Sequence, residues 1–153
     1  MKNYLMVLIT SVLFGCNYSP DNIYLSCNGY SNSLNVYGGN IEEKREPSIL
    51  SVEIKRLDGL IERIYSKPLY SVQVGNILFD KSTLFEDKDK FIGHKERVTT
   101  SNKNQYEYKF NLDRNTNHLT HYDFSFSPKD KVKEISQITI NFEGKCEKVK
   151  EKI

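Results

Sequence analysis

Alanine and tryptophan are absent from the 153 residues. Alanine is the best helix former, so its absence leans the chain toward strands, although an AT-rich codon usage would deplete it as well. There is no excess of one charge sign: 22 Lys and Arg face 20 Asp and Glu, a formal net charge of +2. Without a basic cluster the chain carries no electrostatic footprint for nucleic acid, and no nucleic-acid partner is expected. Three histidines are too few and too scattered for an obvious metal site: His118 and His121 fall at strand-like positions, where odd spacing sends them to opposite faces, and His94 stands alone. No metal and no cofactor are expected. A Gly-x-Ser-x-Gly elbow and a phosphate-cradling glycine loop are also missing. No catalytic residue can be nominated, and the chain reads as a non-enzyme.

Long apolar runs are scarce too, and the one that exists is at the start. Met1-Lys2-Asn3 is followed by a run from Tyr4 to Phe14, broken only by Thr10 and Ser11, and then by Gly15-Cys16. A membrane-spanning helix needs roughly 20 apolar residues, so this run is too short. A charged start, a short apolar core and a small residue make a secretory signal peptide. Its end, Leu13-Phe14-Gly15-Cys16, resembles the lipobox of bacterial lipoproteins, with Phe14 the one departure from the pattern. The resemblance implies cleavage before Cys16 and acylation of Cys16, which becomes the mature N-terminus. Two or more acyl chains anchor a protein stably where one does not. By the same resemblance, Asn17 in place of Asp implies export to the outer membrane, with the domain facing the periplasm. The expected organisation is a signal peptide at 1–15, a lipid-anchored tether at 16–22 and a single β-rich domain at 23–153. Stretched fully, Asn17 to Asn22 reaches only about 20 Å, which keeps that domain close to the bilayer.

Two further cysteines, Cys27 and Cys146, form an even pair in an exported chain and read as a disulfide. Ile23, Leu25 and Cys27 share one parity; Ile138, Ile140, Phe142 and Cys146 share another. Both thiols should therefore face the core, from the first and last strands. A bond there closes a loop of roughly 120 residues, worth up to about 4.7 kcal/mol, and would tie the two ends of the sheet together.

Between the cysteines, period-two patterns dominate. Tyr106, Tyr108, Phe110 and Leu112 alternate with polar residues, and Asp113 to Asn117 is turn-forming. Tyr122, Phe124 and Phe126 then alternate again, completing a hairpin. Tyr70, Val72 and Val74 form a shorter run ended by Gly75-Asn76, after which Ile77 to Asp80 can continue. Phe79 to Lys90 reads as a charge-rich loop; its Asp87-Lys88-Asp89 lacks the glycine and bidentate Glu of a calcium loop. Glu42-Glu43 reads as a charged turn before Pro47. Residues 47–65 are ambiguous. Leu50, Val52 and Ile54 alternate and Asp58-Gly59 signals a hairpin, yet Leu50, Ile54, Leu57, Ile61 and Ile64 follow helical spacing behind Pro47.

The fold expected is all-β and mainly antiparallel: a small barrel or sandwich closed by one disulfide, with room for one helix. Cys27-Asn28-Gly29, Arg114-Asn115-Thr116 and Phe142-Glu143-Gly144-Lys145-Cys146 resemble short motifs of small uncharacterised exported proteins of Gram-negative bacteria. Asn117 stands where that pattern has glycine, which is compatible because Asn also visits the left-handed region. The resemblance implies the disulfide and the hairpin and carries no activity.

The surplus is tyrosine, ten in all, with Tyr18, Tyr24, Tyr30 and Tyr37 near the start. Tyrosine supplies amphipathic contact area for a partner and is also an ordinary strand residue. The functional expectation is a lipid-anchored module that binds a protein partner, of the inhibitor, immunity or exclusion type. The alternatives are a lipocalin-like carrier of a small apolar ligand and a structural or assembly lipoprotein of the outer membrane.

Overall fold

The computed structural model describes residues 22–57, 69–100, 103–128 and 135–150. Within them the chain forms nine strands: β1 (Ile23–Tyr37), β2 (Asn40–Arg56), β3 (Tyr70–Val74), β4 (Ile77–Phe79), β5 (Leu84–Glu86), β6 (Lys90–Val98), β7 (Gln105–Asp113), β8 (His118–Pro128) and β9 (Ile135–Val149). They make one antiparallel sheet in the order β4-β3-β2-β1-β9-β8-β7-β6-β5, curled into a nearly closed barrel with β4 against β6. The described residues contain no helix. Pro47 to Arg56 is strand, so the ambiguity at 47–65 resolves to β as far as it can be followed; Asp58, Gly59, Ile61 and Ile64 lie outside the described residues.

Alternation explains the core. Leu25, Cys27, Val52, Ile54, Val72, Val74, Phe79, Phe91, Phe110, Leu112, Leu119, Phe142 and Cys146 are all buried and form one cluster. Phe79 and Phe110 meet edge to face at 4.7 Å in its middle. Gly93 makes room for them: a Cβ there would stand 2.2 Å from Phe110 Cε1 and 2.6 Å from Phe79 Cδ1. Each aromatic or aliphatic side chain fully removed from water contributes about 1.5–3 kcal/mol, so this cluster is what holds the barrel.

The two remaining cysteines are bonded, and Cys27 stands directly opposite Cys146 in the β1–β9 ladder. The expected inward parity of both strands is met. One detail differs. The bond was expected to tie the ends of the sheet; β1 and β9 are instead neighbours at its middle, and the sheet ends are β4 and β5. Chain ends and sheet ends are not the same thing: the described chain runs outward from β1 to β4, crosses to β5 at the other end of the sheet and returns inward to β9.

Two residues along, Gly29 faces Gly144. A Cβ on Gly29 would lie 2.0 Å from the Glu143 carbonyl oxygen and 2.5 Å from Gly144 Cα, so the strands come too close there for any side chain. The Cys-x-Gly and Gly-x-Cys motifs are thus two halves of one contact.

Beyond Gly29 the barrel opens into a wing. Here β1 pairs with β2 from Tyr30↔Pro47 to Tyr37↔Asn40 and with β9 from Tyr30↔Glu143 to Tyr37↔Ser136. From Tyr30 to Tyr37 this reaches about 24 Å at roughly 3.4 Å per residue. The inward positions are now polar: Ser31, Ser33 and Asn35 on β1 opposite Glu46, Lys44 and Glu42 on β2. Glu42 and Glu43, expected in a turn, lie mid-strand because the turn is at Gly38-Gly39, both at positive φ (55° and 83°). That two-residue glycine turn matches the twist of a hairpin. The outer edge of β2 carries Glu42, Glu43, Lys44, Arg45, Glu46 and Pro47, a composition that blocks edge-to-edge pairing.

Candidate binding face

The face of the wing continuous with the barrel interior is built by register. On β8, His121 stands opposite Phe142 and Phe110, Asp123 opposite Ile140 and Tyr108, and Ser125 opposite Ile138 and Tyr106. On β6, Lys95 faces Tyr108 and Arg97 faces Tyr106. The result is a strip of two rows, half-buried Tyr106 and Tyr108 on β7 and Ile138 and Ile140 on β9, with Asp123 and Ser125 of β8 between them, Lys95 and Arg97 of β6 beyond the tyrosines, and Ser33 and Asn35 of β1 beyond the isoleucines. Aromatic and aliphatic rows interleaved with polar side chains supply the amphipathic contact area that protein-docking surfaces use.

Burial perturbs this strip. It pushes His121 below the usual imidazole range, and His121 Nε2 is buried with no hydrogen-bond partner. It pushes the Asp123 carboxyl up. Tyr108 is also raised, by burial first and then by the neighbouring Asp123 and Tyr106, with Arg97 acting the other way. These groups sit where the filled barrel gives way to the wing, half-withdrawn from water.

The opposite, outer face carries a groove of 610 Å³ that includes Ile92, His94, Lys109, Tyr122, Asn141 and Glu143. His94 Nε2 lies 3.0 Å from Glu96 Oε1 and 3.1 Å from Glu107 Oε1, and the ligating atoms of the three residues fall within 4.8 Å of one another. Glu107 stands opposite Glu96 on the adjoining strand, which a sequence reading of an isolated His94 could not have found. Lys109 Nζ sits 2.5 Å from Glu107 and is the main cause of that carboxyl's lowered pKa. Lys109 supplies a positive charge to Glu107, and His94 Nε2 bridges the two carboxylates on the exposed outer face.

His118 and His121 point to opposite faces, as their spacing required; His118 lies 3.3 Å from Glu143 on the outer side. The Asp87–Asp89 stretch is a turn, with Asp87 N–H bonded to the Lys90 carbonyl at 3.0 Å. Beside it the loop expected over Phe79 to Lys90 contains the short β5, whose Glu86 takes Arg114 at 3.1 Å. Asn117 adopts the left-handed conformation, φ 55°, and its carbonyl accepts Cys146 N–H at 2.7 Å, so the hairpin turn also touches the disulfide strand.

The tyrosines near the start do not share one face. Tyr24 and Tyr30 alternate outward and Tyr37 inward, while the inner strip takes Tyr106 and Tyr108, whose period-two spacing was the available signal. Tyr18 lies outside the described residues, as do Cys16 and the rest of 1–21. Among protein-family models, curated proteins and solved structures, none matches this chain.

Proposed function

We propose that the chain is a bacterial envelope lipoprotein, anchored through acylated Cys16 at the outer membrane on its periplasmic side. In this reading its barrel is a non-catalytic module that binds a protein partner, as inhibitor, immunity or exclusion factor. The observation that carries the proposal is the wing. A sheet held by continuous ladders on both sides of β1 extends well past the buried cluster of the barrel. Its inner strip of Tyr106, Tyr108, Ile138 and Ile140 is carried on paired strands and is partly exposed, and a backbone already held in a ladder lowers the cost of ordering on binding. The mechanism is occlusion of a partner's surface, with the lipid raising the local concentration at the membrane.

A carrier needs an unfilled apolar interior. Here Phe79, Leu119, Val52, Val72 and the disulfide fill it, and a cavity beside Leu25 and Val52 has a volume of only 10 Å³. Ligand carriage inside the barrel therefore has no support among the described residues.

The test is affinity capture from envelopes with the acylated protein, alongside Cys16→Ser and Ile138→Asp variants. Ile138 is 40% exposed in the β9 row of the strip, so the change should not disturb the core. Specific capture of one envelope or foreign protein, lost in Ile138→Asp, is the expected result. Recovery of a small apolar molecule alone, or capture indifferent to Ile138, would overturn the reading.

A further inference from the structure

A sheet becomes a closed barrel when its two end strands pair. Here the end strands are β4 and β5, and they do not: β4 comes against β6 instead. On that side β6 is paired with β5 only from Phe91 to Gly93, with one more backbone bond from His94 N–H to the Thr83 carbonyl at 2.9 Å. From Lys95 to Val98 no strand flanks it among the described residues. Amide direction alternates along a strand, so Glu96 and Val98 present their backbone groups to the same open side as His94. Across the gap, the Leu78 carbonyl of β4 meets a side chain where a ladder would place an amide: Lys95 Nζ donates to it at 3.3 Å.

The gap is a cleft of 430 Å³ lined by Ile77, Leu78, Lys95, Arg97, Tyr106 and Tyr108 among others, with no carboxylate in its walls. Arg97 is exposed and makes no ion pair among the described residues, and Lys95 is bound only to a neutral carbonyl. The nearby acids are engaged or turned elsewhere. Asp80, which feels Lys95, spends its Oδ1 on the Ser82 amide (3.1 Å) and hydroxyl (2.8 Å). Glu96 and Glu107 lie on the outer face with His94. Asp123 stands across Tyr108, on the side away from the cleft. Two cations and two phenol rings thus surround an opening with no carboxylate in its walls, beside a strand edge whose backbone is unpaired among the described residues.

We propose that this seam is the specificity-determining part of the binding face. It takes an extended segment of the partner protein that bears a carboxylate side chain. The segment lies along the edge of β6 from Lys95 to Val98, bonded to the backbone of Glu96 and Val98, in the manner of strand addition. Its carboxylate is held by Arg97, whose planar fork suits it, and by Lys95, which exchanges a carbonyl for a charge-assisted bond. The Tyr106 and Tyr108 rings flank the apolar part of the acidic side chain. This inference rests on the protein-binding reading above and adds the partner's chemistry to it.

The experiment is an amide NMR titration of the full mature chain in detergent micelles with two seven-residue peptides, one alternating Val and Glu and the other Val and Gln. The Glu peptide should shift the amides of Lys95 to Val98 and Ile77 to Phe79. The Gln peptide should bind at least tenfold more weakly, and Arg97→Gln should abolish the difference between them. Equal binding of the two peptides, no shifts at millimolar concentration, or shifts centred on the outer groove would refute the seam. So would N-acetylglutamate binding as tightly as the peptide, since the strand edge would then contribute nothing. Envelope capture with Arg97→Gln separates the two levels. Undiminished capture leaves a protein-binding module without this seam, whereas no capture by the wild-type chain removes the wider reading as well.

Discussion

Breaking the Cys27–Cys146 bond should leave the fold intact and remove much of its stability. The two cysteines face each other within a β1–β9 ladder that runs from Tyr24↔Val149 to Tyr37↔Ser136, so the folded strands stay in register without the bond. What changes is the unfolded chain, which gains the freedom of a loop spanning 119 residues. In the chain-entropy model that loop is worth about 4.9 kcal/mol at 25 °C. Residual compactness of the denatured chain lowers the figure, so about 3–5 kcal/mol is expected. With roughly 2.1 cal/mol/K of unfolding entropy per residue over about 130 residues, the melting temperature should fall by about 11–18 °C.

The assay is thermal and urea unfolding followed by far-ultraviolet circular dichroism on three species: oxidised protein, reduced wild type and the Cys27→Ala/Cys146→Ala variant. Both sulfurs are buried, so reduction has to be done in denaturant before refolding. Reduced wild type keeps its sulfurs in the core and isolates the chain-entropy effect. The variant loses packing in addition, about 1 kcal/mol or more. The urea m-value should rise in both, because the unlinked chain exposes more surface. If reduced wild type melted within about 3 °C of the oxidised protein while the Ala variant did not, the bond would act through packing and the reasoning would fail.

Other perturbations have definite expected outcomes. Gly29→Ala drives a methyl into the β9 backbone and should cost at least about 2–3 kcal/mol in urea unfolding. Gly38→Ala, with open space around it and only an unfavourable φ, should cost about 1 kcal/mol; equal costs would deny the close approach. The strip of β8 should show two opposed pH effects. His121 has a lowered pKa through burial, so the unfolded chain binds its proton more readily and stability falls as pH drops below the ordinary imidazole range near 6.5. His121→Phe should remove that acid-side loss. Asp123 has a raised pKa, so its carboxylate costs stability above the ordinary carboxyl range near 3.9, and Asp123→Asn should be stabilising at pH 7. A pH-stability curve from 4 to 8 unchanged in both variants would contradict the burial of these groups. Finally, globomycin should cause a larger unprocessed precursor to accumulate in cells; normal maturation in its presence would count against processing at Cys16.

The parts of the fold legible in the sequence are those in which one side of a strand is buried. Tyr106, Tyr108, Phe110 and Leu112 gave β7, the Asp113 to Asn117 cluster gave its turn, and the parity of Leu25, Cys27, Phe142 and Cys146 gave the disulfide. The wing was not legible, because period-two contrast disappears when both faces of a strand are wet. Asn40 to Pro47 is exposed throughout, and its β structure comes from the β1 ladder and from Gly38-Gly39, the one local signal available. Strand order was hidden for another reason: parity tells which face a residue takes but not which strand lies beside it. The same limit hid the candidate site. Lys95, Arg97, Tyr106 and Tyr108 lie on one face only once β6 and β7 are in register, and the seam exists only because β5 stops pairing at Gly93.

The claim on which place and purpose depend is the covalent lipid at Cys16. Mass spectrometry of the N-terminal peptide from membrane-purified protein should find mature chains beginning at Cys16, carrying a thioether-linked diacylglycerol and an amide-linked acyl chain. A mature chain with a free thiol at Cys16, or with that sulfur bridged to another cysteine, would contradict the account.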